Sequence, residues 1–301
     1  MAHYLRKVVL AGLAAVSAYG PAEASACGGT FCDSGPRAMP VDQTGENILF
    51  VMDGTSVEAH VQIQYQGDAA RFAWIVPMPK VPDVTVGSQQ LFANLLQGTV
   101  PTYGYSNQRD SCGSFASSGG SGGASFGSGG SSGLLIVGDP GVTVVYQKTV
   151  GAFEVAVLSG GTADEVSAWL QTNGYASTAT APAILADYVA QGFVFVAVKL
   201  TAGAGINEIH PLVFRYAGNE PCVPLKLTAV AATPDMGVRV FFLGDDRVFP
   251  TNYKHVVLNP VRIDWNTFAT NYNSAITRAA DSPLADGHAF ITEYAGASRV
   301  V

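Results

Sequence analysis

The sequence predicts an α+β protein with a predominantly antiparallel or mixed β-sheet, about four helices and disulfide bonds that tie the chain together. Three observations lead to this fold class. Several runs of strand length are alternating or wholly apolar, fewer stretches show helical spacing with caps, and four cysteines are present beside an export leader. Of the 301 residues, 48% are apolar and 13% are charged, which is typical of a packed globular body.

The leader is predicted at residues 1–26, which have the three parts of a secretory signal peptide. A basic start precedes an apolar stretch at 8–19, and small residues at 24–26 mark a cleavage point. The apolar stretch is too short to span a membrane, which takes about 20 residues. We therefore expect a single mature domain at 27–301, periplasmic, secreted or on the cell surface. A lipid anchor on Cys27 is the alternative, but the Ala-x-Ala ending favours ordinary cleavage.

The first half of the mature chain is predicted to hold three strands and one helix. Residues 57–65, VEAHVQIQY, alternate apolar and polar residues, and the turn DGTS joins them to the strand at 48–52 as a hairpin. The run at 71–76 is apolar on both faces, so a covered strand is expected there. Prolines at positions 77, 79 and 82 are predicted to end that strand. A helix follows from Ser88 to Gly98.

Residues 111–133 are a low-complexity tract in which 18 of 23 positions are Gly or Ser. Such chains behave as flexible coil, so the tract is predicted to be a long loop within the single domain.

The second half is predicted to begin with strands near 134–137, 142–147 and 153–158. Thr162 and Glu165 form a capping box that opens a helix ending at Gly174. A second helix is predicted from Pro182 to Gly192. The wholly apolar run FVFVAVKL at 193–200 predicts a central strand, with the two helices as a crossover from 153–158. The remaining predictions are strands near 212–216, 224–231, 238–243, 255–258 and 289–294, and a helix at about 266–279.

The cysteines Cys27, Cys32, Cys112 and Cys222 are interpreted as disulfides, because an exported chain with an even number usually oxidises them. Three pairings are possible, one of which joins Cys27 to Cys32 and Cys112 to Cys222. The spacing of the first two lacks the second close pair that a zinc site needs, and it does not match a redox C-x-x-C motif.

Charge and motifs argue against several classes of function. The mature chain holds 14 basic and 22 acidic residues and no run of Lys or Arg, which argues against binding to nucleic acid. No cofactor is expected, because GAGINE at 203–208 lacks the third glycine of a dinucleotide loop and no phosphate-binding loop occurs. Two G-x-S-x-G matches, at 119–123 and 129–133, fall inside the Gly/Ser tract and are chance matches.

Two sets of polar residues are candidates for a site. His60, His210, His255 and His288 are scattered through the sequence without the spacing of a metal motif. The turn Asp245-Asp246-Arg247 is the most concentrated polar spot in the second half and is a candidate ligand turn. Its alternative interpretation is a solvated hairpin turn.

Five segments carry a resemblance to a known family. They are ACGGTFC at 26–32, PVDQTGENILFVMDG at 40–54, VQIQYQGDAARFAWIVPMPKVP at 61–82, NEPCVPLKLTAVAATPDM at 219–236 and HAFITEYAG at 288–296. Together they closely resemble the bacterial domain-of-unknown-function family 2330, whose members are exported. The resemblance implies export and no assigned activity, so it transfers no site residue.

The sequence favours a non-catalytic exported envelope or extracellular protein, a binding or structural module with a protein or glycan partner. The alternative is a secreted hydrolase whose site assembles from dispersed His and carboxylate residues. A pocket that holds one of the histidines with a carboxylate in hydrogen-bond reach would favour the hydrolase.

Overall fold

The computed structural model describes residues 42–66, 72–101, 141–175, 181–228 and 232–300. The predicted signal peptide, Cys27, Cys32, Cys112, the Gly/Ser tract at 111–133 and the strand near 134–137 lie outside these residues.

The described residues form eleven strands and five α-helices, which confirms an α+β fold. The strands are β1 (Asp42–Met52), β2 (Ser56–Gln66), β3 (Ala73–Met78), β4 (Asp83–Val86), β5 (Thr143–Val150), β6 (Phe153–Ser159), β7 (Val194–Leu200), β8 (Leu212–Ala217), β9 (Ala232–Leu243), β10 (Lys254–His255) and β11 (Ala289–Phe290). The helices are α1 (Gln89–Thr99), α2 (Ala163–Thr172), α3 (Ala181–Ala190), α4 (Leu225–Thr228) and α5 (Tyr272–Ala280).

Two sheets form the body of the protein. Sheet A has five strands in the order β4-β8-β2-β1-β9, antiparallel except for the parallel pair of β1 and β9. Sheet B has four antiparallel strands in the order β3-β7-β6-β5. The short strands β10 and β11 form a separate parallel pair. The predominantly antiparallel, partly mixed pairing agrees with the predicted class.

The two sheets pack face to face and are covered by helices on their outer sides. Between the sheets lies the largest buried cluster, which includes Phe50, Val157 and Phe214 from both sheets. The outer face of sheet B packs against α2 and α3, while α1 covers part of the outer face of sheet A through Phe92 and Leu95. The order of layers is therefore helix, sheet, sheet, helix, which buries both faces of each sheet at its centre.

The local predictions with a clear period are confirmed. The hairpin of β1 and β2 has the predicted antiparallel pairing, and its turn is held by hydrogen bonds to the Asp53 carboxylate. Ser88 caps α1 by accepting from the Leu91 N–H. The capping box of Thr162 and Glu165 at the start of α2 is complete.

Three predictions are wrong for reasons that involve neighbouring elements. Pro77 lies inside β3 instead of ending it, because β3 is an edge strand among the described residues and its backbone is paired on one side only. The predicted strand at 224–231 begins with α4, whose first turn bonds back to the Pro224 carbonyl. The connection from β6 to β7 was predicted to be a crossover, but the two strands are antiparallel neighbours. Helices α2 and α3 bring the chain back to the end of β6 from which they started, where Leu158 lies opposite Phe195.

Candidate functional site

Among the described residues, a cavity lies between the two sheets. Its lining consists of Glu46, Ile48, Phe50, Ala59, Val61, Trp74, Val76, Met78, Phe214, Tyr216, Cys222 and Pro224. The centre of a water molecule has about 20 Å³ in which to move there, which is room for one water.

Glu46 is the one carboxylate in that lining and is only 2% exposed. It follows the inward alternation of β1, two residues before Ile48, and its Oε2 accepts from the Thr228 hydroxyl at 3.3 Å. A buried carboxylate is tolerated only where hydrogen bonds replace those of water. Sequence reasoning missed Glu46 because the strand was predicted to begin at Ile48. Extending the alternation backwards by one period would have placed it inside.

Cys222 lines the same cavity from the loop between β8 and α4. Burial raises the pKa of its thiol, which keeps the group un-ionised and therefore a weak nucleophile. The nearby Tyr216 hydroxyl donates to the Glu220 carbonyl at 3.0 Å, and burial raises the pKa of that phenol as well.

The disulfide prediction stays a prediction. Cys222 forms no disulfide with any residue that the structure describes, and the other three cysteines, Cys27, Cys32 and Cys112, lie outside the described ranges.

His210 borders a second, smaller cavity but is held as a structural residue. Its Nε2 accepts the Ala152 N–H at 3.2 Å, so its Nδ1 must donate to the Pro211 carbonyl at 2.9 Å. Both ring nitrogens of this neutral tautomer are therefore bonded to the backbone. The ring also packs edge-to-face on Phe153, at 4.8 Å between centroids. No carboxylate lines this cavity within the described residues.

His60 has the carboxylate partner that His210 lacks. Its Nε2 lies 2.8 Å from Glu58 Oε1, and both side chains point to the outer face of sheet A. The His60 side chain is 14% exposed, and its Nδ1 is buried without a hydrogen-bond partner among the described residues. Neither cavity described above includes this pair. The histidine with a carboxylate and the histidine beside a cavity are thus two different residues.

The other two histidines lie near the small parallel pair of β10 and β11. His255 stacks on Phe290 with ring centroids 4.9 Å apart, and His288 packs edge-to-face on Tyr253 at 5.2 Å. Across the ranges that the structure describes, no three His, Cys, Asp or Glu side chains gather as ligands for a metal ion.

The turn Asp245-Asp246-Arg247 is exposed and follows β9 at the edge of sheet A. It is not a hairpin turn, because the next strand, β10, belongs to a different pair. Arg247 donates to the Thr292 hydroxyl at 3.0 Å and so ties the turn to the C-terminal segment. The two aspartates face solvent, and their role in binding a ligand stays a prediction.

Comparison with known proteins agrees with the resemblance seen in the sequence. A family model described as "Uncharacterized protein conserved in bacteria (DUF2330)" matches residues 21–300. The chain belongs to this family. Three of the segments that carry the DUF2330 resemblance, 40–54, 61–82 and 219–236, supply most of the lining of the cavity between the sheets. No curated protein and no solved structure matches the chain.

The helices described for this DUF2330 chain include none with the length and apolar character needed to cross a membrane.

Proposed function

We propose that this DUF2330 chain is a non-catalytic protein exported to the envelope or the extracellular space, where it acts as a binding or structural module. The observation that carries the proposal is the construction of its interior. The cavity between the sheets admits a single water, and the thiol that lines it is kept un-ionised by burial. His210, beside the second cavity, has both ring nitrogens hydrogen-bonded to the backbone.

Export and disulfide formation are part of the same proposal. They are supported by the leader-like residues 1–26 and by four cysteines in a chain with this leader. A bond from Cys112 to Cys222 would fix the start of the Gly/Ser tract beside the inter-sheet cavity. The partner class that suits such a module is a protein or a glycan at the cell surface.

Thiol counting and intact mass test export and oxidation together. Mature protein that is unfolded without reductant should show no free thiol, and its mass should correspond to a chain that begins at Cys27 without lipid. Two or more free thiols, or a chain that keeps its leader inside the cell, would overturn this part of the proposal.

The hydrolase alternative is favoured by one observation, the 2.8 Å contact of Glu58 with His60. It is tested with a panel of chromogenic ester, amide and glycoside substrates on the mature protein and on His60→Gln. The exposed His255→Gln serves as the matched control. We expect no turnover that depends on His60. Turnover that is lost in His60→Gln and kept in His255→Gln would replace the binding proposal with the hydrolase.

A further inference from the structure

Within the residues that the structure describes, the two sheets end in four edge strands, and three of them carry features that hinder further pairing. An edge strand exposes unpaired N–H and C=O groups, which proteins protect with short strands, proline, bulges or charge. In sheet A, β4 is only four residues long. In sheet B, β3 contains Pro77, while β5 has a bulge near Val144.

The fourth edge, β9, lacks such protection along most of its paired length. Its irregular start contains Pro234 and Asp235, the latter at φ 60°. From Gly237 to Leu243 it pairs regularly with β1 and includes the run VRVFFL. The single charge of that run, Arg239, is paired with Glu293 of the same chain at 3.0 Å. On the side that faces away from β1, the backbone of this run forms no hydrogen bond with the residues that the structure describes.

β9 also extends past the end of sheet B. Lys148 on β5 lies 2.7 Å from Asp83 on β4, so these two edges of the sandwich are aligned. If the strands are matched from that edge, the four strands of sheet B lie opposite the first four strands of sheet A, and no described strand is left to lie opposite β9. Accordingly Val238 on its inner face is 37% exposed, and Val240 and Phe242 are only half-buried.

We infer that β9 pairs antiparallel with β9 of a second copy of this chain, so that two five-stranded sheets become one of ten strands. A two-fold axis at Val240 places Val238 opposite the partner's Phe242 and Arg239 opposite the partner's Phe241. All residues from 237 to 243 then have a partner on the same face, and no like charges meet. Moving the axis to Arg239 would oppose two arginines, which is unfavourable.

A second copy fits this edge because the run is complementary to itself. The inner row of Val238, Val240 and Phe242 would continue across the two-fold axis and cover the apolar surface that sheet B leaves open. The outer row would place each Arg239 beside an aromatic ring, an arrangement that favours binding. The inference is independent of whether the protein is catalytic.

Sedimentation velocity of the mature protein over a range of concentrations tests the dimer. Wild type should show a monomer–dimer equilibrium. Val240→Lys and Val240→Glu should each weaken dimerisation by about 100-fold or more, because like charges would face each other at the axis. An equimolar mixture of the two variants should recover the dimer as a heterodimer.

Val86→Lys is the matched control, since Val86 is 52% exposed on the short edge strand β4. It should dimerise like wild type. If Val240→Lys loses its circular dichroism signal, Val238→Lys at the more exposed position replaces it, with the same expected loss of dimer. A wild-type monomer at every concentration overturns the inference, whether or not it binds another protein's strand. A dimer that both edge variants leave intact also overturns it.

Discussion

Gly151 and His210 provide a quantitative test of how the β5–β6 turn is packed against the rest of the sandwich. Gly151 has φ +57°, in the left-handed region that other residues adopt only at a cost. A Cβ at this position would overlap with His210 Nε2, the atom that accepts the Ala152 N–H. Gly151→Ala therefore introduces backbone strain and a steric clash together.

The expected loss for Gly151→Ala is about 2–5 kcal/mol in the free energy of unfolding, from roughly 1–2 for the backbone and 1–3 for the clash. Gly192→Ala separates the two contributions. Gly192 has φ +77° but no atom within 4 Å of an added Cβ, so this variant should lose only the backbone share.

Urea denaturation of the mature protein gives these free energies, provided that the slope with denaturant is unchanged between variants. His210→Ala supplies the second test, because removing the ring removes the clash. In the His210→Ala variant, Gly151→Ala should lower the free energy of unfolding by about as much as Gly192→Ala does in the wild type. The contact would be refuted if Gly151→Ala and Gly192→Ala lowered the free energy of unfolding equally. It would also be refuted if the losses caused by Gly151→Ala and His210→Ala were additive within about 0.5 kcal/mol.

Three further predictions concern a helix cap and two titrating groups. Thr162→Ala should lower the free energy of unfolding by about 1 kcal/mol through loss of the α2 cap, and Thr162→Ser should restore it; an unaltered urea midpoint in the alanine variant would contradict the capping role. Hydrogen bonds from the Thr55 backbone N–H, then from Ser56, hold the pKa of the Asp53 carboxyl well below its usual range. This stabilisation is present above the unfolded pKa of about 4 and is lost as pH falls. The difference in the free energy of unfolding between wild type and Asp53→Asn should therefore decrease from about pH 6 to about pH 3. A difference that stays constant would contradict the prediction. Burial raises the pKa of Tyr188 to about 12. The contribution of Tyr188 to the free energy of unfolding should be present below its unfolded pKa of about 10 and decline as pH rises. In an alkaline absorbance titration of the folded protein, Tyr188→Phe should remove one phenol that ionises at high pH.

The parts of the fold that the sequence predicted correctly depend on neighbours in the chain. The alternation of 57–65 predicted the inward face of β2, and the wholly apolar run at 193–200 predicted a strand covered on both sides, as β7 is. The cap at Ser88 and the box at Thr162 and Glu165 were also visible, because each joins groups only three residues apart.

The wrong predictions needed information about elements far away in the sequence. Pro77 is compatible with a strand only at the edge of a sheet. β3 is such an edge strand because it pairs with β7 on one side, and β7 lies far away in the sequence. The run at 224–231 alternates like a strand, but Pro224 begins a helical turn that carries Thr228 to the carboxylate of Glu46. A short alternating run does not distinguish these outcomes.

The sequence by itself determined the α+β class, the family and the character of the local elements, because hydrophobic period and capping are properties of adjacent residues. Only the tertiary structure decided that Glu46 and Cys222 share one cavity, that His210 is bonded at both nitrogens, and that β9 is an edge strand of the part that the structure describes. These facts depend on the order of strands and the stacking of sheets, which bring together residues that are far apart in the sequence, such as Glu46 and Thr228, 182 positions apart.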